Sequence, residues 1–190
     1  VVVDVMSSIG SLREAYTQLT ELFASLENPQ DSEAVEVSLA DDKRRETFYN
    51  RLCAFGRPLN LVLNAEQAYE ALPKPELKRY QSAFAFFSKV RRSVKIRYCD
   101  AIDNREYEPL MQNLLDTHLS VAGLKQITSP IDILNKDDFE RELESLGSAR
   151  SKADAITSKL TKSISAKYQE NPAYYDSFSK RIKTALEQYK

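Results

Sequence analysis

Four glycines and seven prolines in 190 residues leave little of the turn chemistry that a protein built from strands and hairpins needs. Metal-ligand chemistry is thin as well. His118 is the only histidine, and the two cysteines, Cys53 and Cys99, lie far apart and fit no ligand spacing. They read as reduced, half-buried thiols of a cytoplasmic protein. No apolar run approaches the roughly 20 residues that span a bilayer, so no membrane partner is expected. The opening VVVDVMSSIG has no basic region and carries an acid early, which excludes a signal peptide. It also lacks an initiator Met, and the chain reads as a fragment of something larger. Nor is there an excess of one charge: 27 Lys+Arg stand against 28 Asp+Glu. Any nucleic-acid or acidic-partner surface must therefore be local.

What is present is helical periodicity. Leu12, Ala15, Tyr16, Leu19, Leu22, Phe23 and Leu26 recur at helical steps after Ser11, a possible cap. Asn28 to Leu39 is polar and acidic and reads as a loop. A second helix beginning near Asp41 places Phe48, Leu52, Phe55, Leu59 and Val62 on one side, with a kink or break expected at Gly56 and Pro58. A long helix runs from about Pro75 to Asp100, and a shorter one follows, entered through Arg105 to Glu108 and carrying Pro109 near its start. VAGLKQITSPIDILN is expected to be non-helical. DDFERELESL is a short helix stopped at Gly147. Ala153, Ile156, Leu160, Ile164 and Tyr168 then form one seam. After Asn171-Pro172, a second seam follows through Tyr175, Phe178, Ile182, Leu186 and Tyr189. So short a link predicts an antiparallel helical hairpin. The expected fold is all-α: a multi-helix bundle over 1–122, then a subdomain over 123–190 that ends in the hairpin.

Converging catalytic groups are missing. There is no GxxxxGK[ST] loop to cradle phosphates and no GxGxxG. His118, two residues after Asp116, points to a different side of a helix from it. Glu76-Leu77-Lys78 matches the Glu-x-Lys of many nucleases, but there the motif lies on a strand, where alternate side chains converge on a metal. Here it follows Pro75 in a first helical turn, where an acid suits the positive helix end. The acids Asp100, Asp103, Glu106, Glu108 and Asp116 read as caps and partners for the basic run before them. No catalytic, cofactor-binding or metal residue is assigned.

That basic run, KVRRSVKIR, contains Lys89, Arg91, Arg92, Lys95 and Arg97 and no acid. At ~100° per residue, Arg91, Arg92 and Lys95 crowd the face opposite Val90, Val94 and Tyr98. With Lys89 they are candidate contacts for phosphate or for an acidic protein surface. Arg97 instead aligns with Val90 and Val94. A buried Arg there needs a carboxylate, and Glu106 or Glu108 is the nearest in sequence.

The order RYCDAIDNREYEPLMQNLLDTHL, ITSPIDILNKDDFE, SKADAITSKLTKSIS and ENPAYYDSFSKRI resembles the C-terminal part of the restriction (R) subunit of type I restriction-modification enzymes. The likeness covers most of the chain and is strongest from Ala83 onward. Its most specific piece is Asn171-Pro172-Ala173-Tyr174-Tyr175…Phe178-Ser179-Lys180-Arg181-Ile182. SSIGSLREAY looks like the entry from the motor. The resemblance implies a parent that is an ATP-dependent type I site-specific deoxyribonuclease, with nuclease and ATPase domains, and its ATP and Mg2+, outside this chain. It implies a non-catalytic assembly and coupling role, docking the translocating subunit on the methyltransferase and specificity subunits. The alternative is a module that guides double-stranded DNA, weakly and without sequence preference, along the stripe from Lys89 to Arg97.

Overall fold

The computed structural model describes residues 5–100, 107–119, 136–169 and 172–188. Among them the chain is all-α, with nine α-helices and no strand. They are α1 (Val5–Glu21), α2 (Ser32–Ser38), α3 (Asp42–Asn64), α4 (Glu66–Ala71), α5 (Lys74–Arg97), α6 (Glu108–Asn113), α7 (Lys136–Glu144), α8 (Ala149–Lys167) and α9 (Pro172–Gln188). A π-helical turn, Leu114–His118, continues α6. The chain divides into two compact units. The first takes residues up to 95 together with 107–119; the second takes 96–100 and the described residues from 136 onward. The boundary expected at 122/123 and the segment from 121 to 135 lie outside the described residues.

The first unit is built on aromatic packing among α1, α3 and α5. Leu12, Leu19, Phe23, Phe48, Leu52, Phe55, Leu59, Val62 and Phe84 are all fully buried. Phe23 stacks on Phe87 at 5.4 Å, and Tyr16 meets Tyr80 edge-on at 4.9 Å. Each such side chain contributes about 1.5–3 kcal/mol of burial. This outweighs the roughly 3 kcal/mol that Pro58 costs inside α3, and α3 runs unbroken from Asp42 to Asn64 through Gly56 and Pro58. The expected break is absent. Pro58 deprives the Ala54 carbonyl of its helical donor, and Ala54 lies on the exposed side, where water can replace it. Gly56 has a packing reason. A Cβ there would stand 2.9 Å from Cε2 of Phe84, so α3 and α5 approach across it.

Ser11 is not a cap, because α1 begins upstream at Val5. The other end of α1 is closed from α3: Arg44 donates to the Leu22 carbonyl and Arg51 to the Gln18 carbonyl. The polar stretch before Leu39 is not all loop. Asp31 accepts from the Glu33 and Ala34 amides and caps α2, which buries Val35. Periodicity over seven residues was too short to reveal it.

In the second unit, Ser148 and Ser151 form a reciprocal capping box that starts α8. α7 stops at Glu144, and the Ser145 and Leu146 amides donate to Glu142 and Leu143 in a tightened last turn before Gly147. α8 and α9 are in contact, and Tyr168 donates to Asp176 near their link at 3.1 Å. Their seam differs from the expected one. Ser151 and Ala155 are the buried positions of α8, whereas Ile156 and Tyr168 are exposed and Leu160 and Ile164 half-buried. Tyr175, Phe178 and Ile182 of α9 are half-buried. The side chain of Leu186, together with Asn171 and Tyr189, lies outside the described residues.

Candidate functional site

The basic residues of α5 were the candidate contact stripe, and their placement corrects that reading. Arg91 is fully buried and Lys95 is 2% exposed; Arg92 is half-buried and only Lys89 is exposed. The wheel argument assumed one dry face, but the last turns of α5 are enclosed nearly all round, with Phe87, Ser88, Val90, Val94, Ile96 and Arg97 also buried. Two buried cations require a carboxylate. Glu108 supplies it from the first turn of α6, a position that an acid also favours electrostatically. Arg91 donates to both Glu108 oxygens, one of them at 3.3 Å, and Lys95 Nζ lies 3.8 Å from Oε1. The Tyr49 ring lies beside both cations, 5.6 Å from the Arg91 guanidinium and 5.9 Å from Lys95 Nζ. Cys53 is nearby, and burial pushes its thiol up to about 11 despite the lowering effect of Arg91. That is the reverse of an activated thiolate.

Arg97 is buried as expected, and among the described residues its carboxylate partner is not Glu108. Glu106 lies outside the described residues, and Glu108 is held by Arg91 and Lys95. Arg97 donates through Nε and Nη2 to Oδ2 of Asp154 on α8, at 2.9 and 2.6 Å. Asp154 is the one acid between Ala149 and Lys167, and this was the available signal. Sequence proximity could not point to this partner, which is 57 residues away. Just beyond, Cys99 turns the chain at φ 46°, a left-handed conformation that ends α5. Lys162 donates to its carbonyl at 2.5 Å, and its thiol donates to the Ala155 carbonyl at 3.7 Å. Burial raises the Cys99 thiol, with Lys162 and Lys159 opposing.

The remaining candidates stay apart. Glu76, in the first turn of α5, accepts from Arg13 Nε and Nη2 at 2.8 and 3.0 Å and from the Tyr80 hydroxyl at 2.7 Å. These hydrogen bonds, that of Arg13 first, hold its carboxyl down to about 2. His118 is half-buried in the π-helical turn, where its carbonyl accepts from Gln81 at 3.5 Å. Asp116 is exposed and accepts from Gln112 at 2.8 Å. No His, Cys, Asp and Glu cluster among the described residues could hold a metal, and none of their helices is long and apolar enough to cross a membrane.

Positive charge gathers instead on α8 and α9. Arg150, Lys167, Lys180, Arg181 and Lys183 are exposed and Lys152 is half-buried. Lys159 and Lys162 turn inward, Lys159 over the Phe139 ring at 3.9 Å and Lys162 onto Cys99. The acids of these helices are Asp154, held by Arg97, Asp176, bonded to Tyr168, and Glu187, whose side chain lies outside the described residues. Comparison with protein-family models, with curated proteins and with solved structures gives no match for the chain.

Proposed function

We propose that this chain is a non-catalytic assembly and coupling region of a type I restriction enzyme R subunit. On this reading it docks the ATP-driven DNA-translocating and cleaving subunit on the methyltransferase and specificity subunits. The reading rests on the resemblance of the C-terminal half. The observation that supports it best is the distribution of charge. Arg91, Lys95 and Arg97 are engaged in internal ion pairs with Glu108 and Asp154, while α8 and α9 together carry eight Lys and Arg against three acids. A helix pair with this excess of cations suits docking to an acidic partner, where complementary charge speeds association more than it deepens affinity. Burial of Arg91 and Lys95 leaves the rival DNA-guiding stripe with little accessible charge.

Competition tests this. The isolated chain, added in excess to a reconstituted type I enzyme of the same system, should occupy the docking surface of the core. It should inhibit ATP-dependent plasmid cleavage and leave DNA methylation intact. Undiminished cleavage at saturating chain would remove the docking role.

A further inference from the structure

Five large apolar side chains are recorded as well exposed among the described residues, and three of them lie on α8 and α9: Ile156 at 44%, Tyr168 at 39% and Tyr174 at 58%. They belong to rows. Ile156, Leu160, Ile164 and Tyr168 follow one another at four-residue steps along one side of α8, spanning about 18 Å at 1.5 Å per residue. Leu160 and Ile164 are half-buried, so contact with α9 covers the row incompletely. On α9, Tyr174 lies parallel to Phe178 at 6.2 Å and edge-on to Tyr175 at 5.1 Å, an ordered aromatic surface with Arg181 on the next turn. Lys167, Lys180, Arg181 and Lys183 stand on the same two helices.

We infer that this surface is the docking seat for an acidic amphipathic helix of a partner protein. The inference rests on the assembly reading above and names the chemistry of the partner element. Charge selects an acidic occupant, because α8 and α9 carry eight cations against three acids, of which Asp154 and Asp176 are engaged within the unit. The aliphatic row selects protein over nucleic acid. Phosphates would satisfy the cations, and bases would stack on Tyr174, but neither gains from Ile156, Leu160 and Ile164. Such an i±4 row over about three turns is a ridge inclined to the helix axis, against which a second helix packs with anchors at i, i+3, i+4 and i+7. Exposed Tyr174 and Arg181 are the residue types that dominate such interfaces.

The test uses the 190-residue chain and fluorescent synthetic helices of about 18 residues. One carries a Leu/Ile stripe with glutamates elsewhere, one the same stripe with lysines, and one the acidic composition scrambled to destroy the stripe. A duplex DNA of similar length serves as competitor. The acidic amphipathic helix should bind at least about tenfold more tightly than the other two. Ile156→Ser and Tyr174→Ser, both at exposed positions, should each weaken it several-fold with helical content unchanged. Lys180→Glu with Arg181→Glu should weaken it further, more so at low salt. Equal binding of the scrambled peptide, no binding of any peptide, or displacement by DNA at equal concentration would overturn the inference. The same variants mixed with the methyltransferase core separate the two ideas. If the core binds and the substitutions change nothing, the docking seat is wrong and the assembly reading stands. If the peptide binds and the core does not, the seat stands and the assembly reading fails.

Discussion

Glu108 pairs with two buried cations at once, Arg91 and Lys95. Glu108→Ala removes the carboxylate that Arg91 and Lys95 share and should destabilise the first unit by up to roughly 3–5 kcal/mol. Arg97→Ala should cost less, about 1–3 kcal/mol, since the side chain of Asp154 is 42% exposed and recovers water when its partner leaves. Urea unfolding of both variants checks the order, and an equal loss would mean that the Glu108 cluster is not dry. A charge reversal at Arg91 or Lys95 is therefore no probe of DNA contact, as it would unfold the protein first. Gly56 offers a second check. Gly56→Ala gains roughly 1 kcal/mol of helix propensity but drives a Cβ into the Phe84 ring, and overpacking costs about 1–3 kcal/mol. A lowered melting temperature is expected, partly restored by Phe84→Leu.

The helices were legible where a long apolar row met one partner surface. Phe48, Leu52, Phe55, Leu59 and Val62 in α3 and Leu12, Leu19 and Phe23 along α1 and the turn after it are buried as their spacing predicts. Legibility failed where a helix is enclosed on several sides, as at the end of α5, or too short to show a period, as in α2. It also failed on α8, whose hydrophobic row is only partly covered while Ser151 and Ala155 are buried, because atoms there serve the capping box and the Cys99 turn. α1 and α5 are joined by a contact that no periodicity shows, Arg13 with Glu76. Its pH dependence has a definite sign. The folded carboxyl of Glu76, at about 2, lies below its ordinary value of 4.5. Its contribution is therefore complete above pH 4.5 and lost as pH falls towards 2. The stability difference between the protein and Glu76→Gln should be constant near neutrality and shrink through that acid window. Urea midpoints measured from pH 7 to 2 check this, and a constant difference would place the carboxylate in open water.

The all-α class followed from composition and two parts were expected, but not that the second takes residues 96–100 from the end of α5, where Arg97 pairs with Asp154 and the Cys99 turn meets Lys162. No spacing rule links positions so far apart in the chain. The proposed role rests on which charges remain outside once the internal pairs are made, and that distribution could not be read from a net charge of −1. The decisive measurement is sedimentation of the chain mixed with the methyltransferase core of the same restriction system, free of DNA and treated with nuclease. The account predicts a faster, stoichiometric complex that forms without nucleic acid and loosens as salt rises. Independent sedimentation of the two, or a complex that disappears with the DNA, would contradict it and return the chain to a DNA-contacting role.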